Sequence, residues 1–361
     1  MSNELLCIES VSTWDTCRIH LMSFVFGVWM LCKRAVGWVW NPNGYKSLQL
    51  HDNPPSCLMD SSLGQHKYVK LKGVKLHYVE SGSKDQPVML LLHGFPDCWL
   101  SWRHQIPVLS TYFRVIALDL KGFGDSDKPM WRSSYRIDII LQEIKQFTAA
   151  LGIKKCMIVG HDLGAFIGWY LVHQMPNIVT KFFAVSCPHP NVYWNNVSQT
   201  YTNQWLNFVQ MPYLPEMDAL KEDVKIISQY HKHLSAQDVY LEAYKYTFSR
   251  KEDWTGPINY FRNLPFHKIS DHVDQIETTV ILIVGSQDEF VKLDNIVRST
   301  EYCERFYMKI IDGGQHFPHQ EKADEFNSVI LKYAVTKKSG KTQNNGEIFF
   351  EKAHGGTFRS S

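Results

Sequence analysis

The chain has 361 residues, of which 44% are hydrophobic and 20% charged. It is long for one compact domain, short for three, and apolar enough to bury a sizeable core, which excludes a wholly disordered chain. The formal net charge is only +2 and no basic stripe is interleaved with aromatics, so nucleic acid is excluded as an expected partner.

The first pattern along the chain is apolar. Ile19 to Cys32 is a run of 14 residues interrupted only by His20 and Ser23; Lys33-Arg34 follow, then a second apolar stretch from Ala35 to Trp40. A spanning helix needs ~20 apolar residues, so the run alone is short, and a buried helix or an uncleaved signal-like stretch are the alternatives. Trp29, Trp38 and Trp40 resemble an interfacial belt, which favours a membrane anchor over 17–40 behind an N-terminal segment 1–16. Lys33, Arg34 and Lys46 lie on its C-terminal side, whereas Glu4, Glu9 and Asp15 face Arg18 on the other. The positive-inside rule then puts the main domain in the cytosol, on a membrane expected to be that of the endoplasmic reticulum. The sequon Asn196-Val197-Ser198 matters only if that orientation is reversed.

Residues 41–66, rich in Asn, Pro, Ser and Gly, read as a linker. Strand patterns follow. Lys67 to Leu71 and Leu76 to Val79 predict a hairpin, and Val88 to Leu92 is a continuous apolar run, as in a strand buried on both faces. Val115 to Asp119, Cys156 to Val159, Val280 to Val284 and Met308 to Ile311 repeat that pattern, with helical stretches at Ile137 to Leu151 and Gly164 to Gln174. Strands alternating with helices predict an α/β fold with a mainly parallel twisted sheet and helices on both faces. Residues 191–269, rich in Tyr, Trp and Met, break the alternation and read as an inserted helical lid over the C-terminal strand ends. The core is then 67–190 and 270–336, and the polar stretch 337–361 reads as a disordered tail. The eight cysteines (Cys7, Cys17, Cys32, Cys57, Cys98, Cys156, Cys187 and Cys303) show neither a CxxC pair nor metal-ligand spacing. Most sit in apolar runs and fit a reducing compartment; no metal or organic cofactor is expected.

Four short pieces carry chemistry. Val159-Gly160-His161-Asp162-Leu163-Gly164-Ala165 follows a strand and opens a helix, with the spacing Gly-x-nucleophile-x-Gly. The glycines allow a tight turn that lifts the central side chain above the sheet, and that side chain is a carboxylate, which can attack carbon directly and become an ester. Taken alone, the same text could be a strand-to-helix turn with an Asp cap. His93-Gly94-Phe95-Pro96 also follows a strand, and the amides of Phe95 and Leu163 are the expected oxyanion hole. Asp288 and His316 come after two later strands, in the chain order nucleophile, acid, histidine. Asp162 is thus expected to be alkylated, and His316, oriented by Asp288, to activate the water that cleaves the ester.

With these residues assembled, the chain resembles the epoxide hydrolases of the α/β-hydrolase fold, most of all their membrane-anchored, epoxide hydrolase 4-like branch. The resemblance runs from Ser56 to about Asp324 and includes Leu90-Leu-Leu-His-Gly-Phe-Pro96, Ser101-Trp-Arg103, Ala117-Leu-Asp-Leu-Lys-Gly-Phe-Gly124, Gly160-His-Asp162, Pro188-His-Pro-Asn191 and Gly256-Pro-Ile-Asn259. It implies an ether-bond hydrolase acting on epoxides, with two lid tyrosines that donate to the departing oxygen.

The chain departs from the family there. In Asn259-Tyr260-Phe261-Arg262-Asn263 the donor position is Phe261, with Tyr260 beside it and expected to point elsewhere. Anchoring on Gln210 and Pro212 puts Trp205 at the other donor position, and Tyr201, four residues earlier, is a candidate substitute. Leu163 follows the nucleophile where the family has Trp, and Lys121 stands where Arg is common. An indole N–H can hydrogen-bond but is no proton source. Three classes therefore remain open at this point: an epoxide hydrolase with a rearranged lid, weak on simple epoxides; a dehalogenase-like hydrolase; and an anchored protein that binds hydrophobic ligands with little catalysis. In all three the expected ligand is an apolar, lipid-derived small molecule.

Overall fold

The computed structural model describes residues 7–40, 51, 53–194, 204–335, 348–352 and 358–360. Its strands in chain order are β1 (Ile8–Ser10), β2 (Gln65–Lys70), β3 (Lys75–Ser81), β4 (Val88–Leu92), β5 (Arg114–Leu118), β6 (Cys156–His161), β7 (Val179–Val185), β8 (His267–Ile269), β9 (Thr279–Gly285), β10 (Arg305–Ile311), β11 (Ile348–Lys352) and β12 (Phe358–Ser360). Ten of them form one sheet in the order β2-β3-β5-β4-β6-β7-β9-β10-β11-β12. The six from β5 to β10 in that order are mutually parallel, and β2-β3 and β11-β12 add antiparallel edges. All five residues of β4 are buried, because helices cover both faces of a parallel sheet and a central strand needs apolar side chains on each.

The strand order reverses between β4 and β6. From β4 the chain steps outward to β5, then crosses back to β6 and continues the other way through β7, β9 and β10. The connections leaving β4 and β6 diverge above the sheet and open a crevice at their C-terminal ends. The loop Gly94–Pro96 leaves β4 there, and Asp162 leaves β6 beside it. The fold is the expected α/β arrangement, with one parallel strand more than the text suggested: β7 begins Val179-Thr180-Lys181, and its polar start masks the apolar half that follows.

Helices Gln204–Val209, Leu214–Ala219, Lys221–Tyr230, Val239–Thr247 and Glu252–Asn263 lie over the crevice. The buried Arg262 fastens them together. Its guanidinium donates to Glu216 Oε1 at 2.7 Å and to the carbonyls of Val209 and Met211, each at 2.7 Å. A buried cation is tolerable only when it is paired and hydrogen-bonded in this way. A second tie is direct to the core, where His231 Nε2 and the carbonyl of Pro96 lie 2.9 Å apart.

Two segments differ from their sequence reading. The N-terminal apolar run is part of a longer single helix, Thr13–Trp40, because neither Asp15 nor Lys33-Arg34 breaks a helix and Ser12 caps its start by accepting from the Asp15 amide. The helix is not set apart from the domain. β1 pairs with β8 where the lid re-enters the core, Ser23 bonds Asn207, Gly27 lies against Met211, and Arg34 pairs with Asp218. Its other side leaves Leu21, Phe24, Val25, Val28 and Leu31 exposed. In the stretch expected to be a disordered tail, β11 and β12 form a hairpin on β10; a sheet edge offers backbone partners whatever the side chains. Of the expected linker, Ser56–Leu58 forms a helical turn, and Cys57 Sγ lies 3.8 Å from the Val239 carbonyl of the lid.

Candidate active site

The turn after β6 has the geometry its glycines require. Asp162 sits at φ 45° and ψ −113°, outside the regions an L-residue prefers. A Cβ on Gly160 would lie 2.6 Å from the Gly164 carbonyl oxygen, and one on Gly164 would lie 2.2 Å from that of Leu92. Both positions therefore demand glycine. Gly94 is similar, since a Cβ there would meet His161 Nδ1 at 2.6 Å and Asp162 Cβ at 2.9 Å.

The strained turn brings Asp162 to the floor of the crevice, where its side chain keeps about 30% of its surface accessible. The Phe95 amide donates to Asp162 Oδ2 at 3.0 Å, so one of the two amides expected as an oxyanion hole holds the carboxylate itself. His93 supports the loop, with Nδ1 2.8 Å from the Gly94 carbonyl and Nε2 accepting from the Leu120 amide.

His316 faces the other carboxylate oxygen. Its Nε2 is 3.8 Å from Asp162 Oδ1, and its Nδ1 lies 3.0 Å from Asp288 Oδ2. Asp288 is fixed in turn by the amides of Phe290 and Val291 on its Oδ1, at 2.9 and 3.2 Å. Burial works against the charged form of all three groups. It is outweighed at Asp162 by the nearby His316, and at Asp288 by its hydrogen bond with His316 and that residue's charge, so both carboxyls sit below their ordinary range. Burial likewise opposes the His316 cation, but its two carboxylate neighbours raise it above the ordinary histidine value. The two carboxylates thus favour the charged form of His316. Beneath it His161 stays neutral, pushed down to about 3 by burial first and by the nearby His316 charge, and its Nε2 is 2.8 Å from the His316 carbonyl.

Above Asp162 is a cavity of about 370 Å³ with mostly apolar walls. Phe95, Leu163, Trp205, Phe261 and His316 all line it. Phe95 is the hub of the lid-side wall, with ring centroids 4.9 Å from Phe261 and 5.8 Å from Trp205. Tyr260 is buried and points away, its hydroxyl donating to the Lys121 carbonyl at 3.0 Å, so it is removed from the candidate lid donors. Tyr201 lies outside the described residues. Among the cavity residues that the sequence reading missed are two tyrosines, Tyr193 and Tyr230. Tyr193 follows the Pro188-His-Pro-Asn191 run by two residues, which is the one textual signal near it; Tyr230, at the end of a lid helix, carries none.

The chain has relatives with the same arrangement of elements. Residues 87–323 match the family model described as the alpha/beta hydrolase fold. The chain is 35% identical over 296 residues to epoxide hydrolase 4 of Mus musculus, spanning 77% of this chain and 82% of that protein. To epoxide hydrolase 3 of Xenopus tropicalis it is 33% identical over 294 residues, spanning 76% and 79%. Among solved structures it superposes on the Bacillus megaterium epoxide hydrolase bound to an inhibitor with a TM-score of 0.67 at 28% identity, covering 75% of this chain and 100% of that one. An epoxide hydrolase from Vigna radiata gives 0.66 at 28% identity, covering 76% and 99%.

Proposed function

The chain belongs to the alpha/beta hydrolase fold family and, within it, to the epoxide hydrolases, and from that premise we propose that it hydrolyses apolar, lipid-derived epoxides through an ester on Asp162. The observation that carries this reading is the Asp162 carboxylate, gripped by the Phe95 amide on one oxygen and facing His316 with the other. Such a carboxylate is ionised and needs no base to act as a nucleophile. Oδ1 attacks the epoxide carbon and becomes the ester oxygen, while Oδ2 becomes the ester carbonyl. Esterification removes one of the two negative charges that hold the His316 cation, so its proton is released and the imidazole becomes a base. With Asp288 orienting it, His316 takes a proton from water, which attacks Cγ of Asp162; the Cγ–Oδ1 bond then breaks and the product leaves with Oδ1. The charge that develops on Oδ2 meets the Phe95 amide already in place, which is where a preorganised donor acts most strongly.

A single turnover in heavy-oxygen water tests this. The product is expected to be unlabelled, because the oxygen it gains is that of Asp162, and the label is expected in the Asp162 peptide by mass analysis. Label in the first-turnover product means direct attack by water and ends the reading. The exchange of tyrosine for Trp205 and Phe261 on the lid wall also favours a second substrate class, alkyl halides, whose leaving group departs unprotonated and needs only an N–H donor. A haloalkane run beside the epoxide, with Asp162→Asn as the blank, separates the two.

The apolar outward side of helix Thr13–Trp40 supports association with a membrane, for which we take the endoplasmic reticulum, with the hydrolase domain in the cytosol. Lys33 and Arg34 end the apolar run, and Arg34 pairs with the lid residue Asp218, so the end of the helix that the positive-inside rule keeps cytosolic is the end that carries the lid. Glycan on Asn196 in cells would show the reverse orientation.

A further inference from the structure

An opened epoxide leaves an alkoxide, and both lid positions that carry acid donors in the resembled family are occupied here by groups that cannot give a proton. Asp162 attacks from the floor of the cavity, so the departing oxygen is displaced toward the lid. A substitute donor must therefore stand on the wall formed by Trp205 and Phe261. Resting on the epoxide reading above, we infer that Tyr230 is the acid that protonates the departing oxygen.

Three observations place it. The Tyr230 ring packs edge-on against Phe95 at 6.0 Å between centroids, so it shares the hub that Trp205 and Phe261 also touch. Its other neighbour is Phe290, stacked at 6.0 Å and 9° between planes, and Phe290 in turn lies 4.8 Å from the His316 ring. Tyr230 thus bridges the oxyanion loop and the histidine side of the site. Its hydroxyl has no hydrogen-bond partner among the described residues, whereas the buried hydroxyl of Tyr260 is committed to Lys121. The cavity is lined by Tyr230 and not by Tyr260.

The phenol is also in the right state. Burial, then the charge of Asp162, then Tyr193 push Tyr230 upward, so it holds its proton at neutral pH and feels the nucleophile's charge. When the ester forms, that charge moves from the carboxylate to the departing oxygen. The bond formed is Asp162 Oδ1 to carbon; the bond broken is carbon to the epoxide oxygen, which keeps the electron pair and takes the Tyr230 proton. Tyr230 is left as phenolate. It is restored by the proton that His316 gives up once the ester has formed; the neutral His316 then takes a fresh proton from water, and the remaining O–H proton of that water goes to the product oxygen as the Cγ–Oδ1 bond breaks, so that epoxide and water give diol with every group returned. Lys292 also borders the cavity, but it is exposed and hydrated at the mouth. Tyr193 is the other phenol on the cavity wall, pushed up to about 12 chiefly by burial.

The experiment is rapid-mixing measurement of Asp162 alkylation and of ester hydrolysis in the full-length wild type, Tyr230→Phe and Tyr193→Phe. The probes are 1,2-epoxybutane and its trifluoromethyl counterpart, 1,2-epoxy-3,3,3-trifluoropropane. The substitution keeps the ring and hence both aromatic contacts. Tyr230→Phe is expected to slow alkylation by 1,2-epoxybutane about 10²-fold, the usual loss for one such donor, and to leave ester hydrolysis unchanged. The deficit is expected to shrink for the trifluoromethyl epoxide, whose less basic alkoxide needs less help, a dependence that a packing defect would not produce. Wild-type alkylation rates in Tyr230→Phe overturn the inference while leaving the Asp162 reading intact. So does an equal deficit with both epoxides, or a leaving-group-dependent deficit in Tyr193→Phe alone. A wild type that is neither alkylated nor active on either epoxide overturns the parent reading and this one with it.

Discussion

The floor of the cavity and its lid-side wall are built under different constraints. On the floor, Asp162, Asp288 and His316 each follow a strand of one sheet, and their spacing is set by the register of β6, β9 and β10. Gly160 and Gly164 leave no room for a single added carbon without striking backbone. On the wall, Trp205, Tyr230 and Phe261 come from three separate helices and each packs on Phe95, with Trp205 and Phe261 also in contact with one another. A tyrosine can become a phenylalanine there, or move to another helix, with little disturbance to the packing. On the proposed mechanism, the floor is the part that tolerates least change and the acid step is the one whose residue is free to move.

The sharpest test of that contrast is loss of the nucleophile. Asp162→Asn is expected to lower turnover of an accepted epoxide on the order of 10⁴-fold or more, as removing a nucleophile does, measured against wild type as product formed per enzyme. Its fold should survive, since the amide still accepts from Phe95, and an unchanged circular dichroism spectrum checks this. A loss comparable with that of a lid variant would erase the distinction between floor and wall.

The next effect separates steps within the floor. His316→Gln is expected to slow turnover about 10²–10⁴-fold, the range for a general base, and to trap the ester, seen as an intact-mass increase equal to that of the substrate. Consumption of substrate at a normal rate without an adduct would show that the ester is not on the path.

The wall offers a gain in place of a loss. Phe261→Tyr restores a hydroxyl at a position already in the cavity and is expected to raise epoxide turnover up to about 10²-fold, the effect of one donor. If the new hydroxyl is buried without a partner, the cost is ~1–3 kcal/mol of stability, so melting is followed together with the rate. A folded Phe261→Tyr enzyme with no gain would mean that the wall is already saturated with donors.

The smallest expected effect is on stability against pH. The folded pKa of His316 is raised above its unfolded value of about 6.5. Its contribution is fully present below pH about 6.5 and is lost as pH rises through the folded value. Asp162 and Asp288 are lowered in the fold, so theirs is present above about pH 4 and lost as pH falls through their folded values. The difference in Tm between wild type and His316→Gln is therefore expected to be greatest between about pH 4 and 6.5 and to narrow in alkaline buffer. A difference that widens with rising pH would show that the resting His316 is neutral.

Much of the floor was legible in the text because its information is local. A buried strand announces itself as an apolar run, a tight turn by its glycines, and the reacting residue by its place just after both. β7 escaped because its polar start interrupts the run. The N-terminal helix was legible as apolar, yet nothing in Ile19 to Cys32 says that Ser23, Gly27 and Arg34 would meet Asn207, Met211 and Asp218. Those partners are almost two hundred residues away.

By itself, then, the amino-acid order determined the α/β sheet and the sharp glycine-flanked turn at Asp162, and it singled out Asp162, Asp288 and His316 as candidates, because each is a short-range pattern of hydrophobicity, glycine and one functional side chain. The tertiary structure alone decided which tyrosines line the cavity. Tyr260 and Tyr230 are equally plausible as text, and helix phase together with packing on Phe95 and Lys121 sends one to the core and the other to the cavity. That outcome is a property of surfaces meeting across long stretches of chain, and no local window contains it.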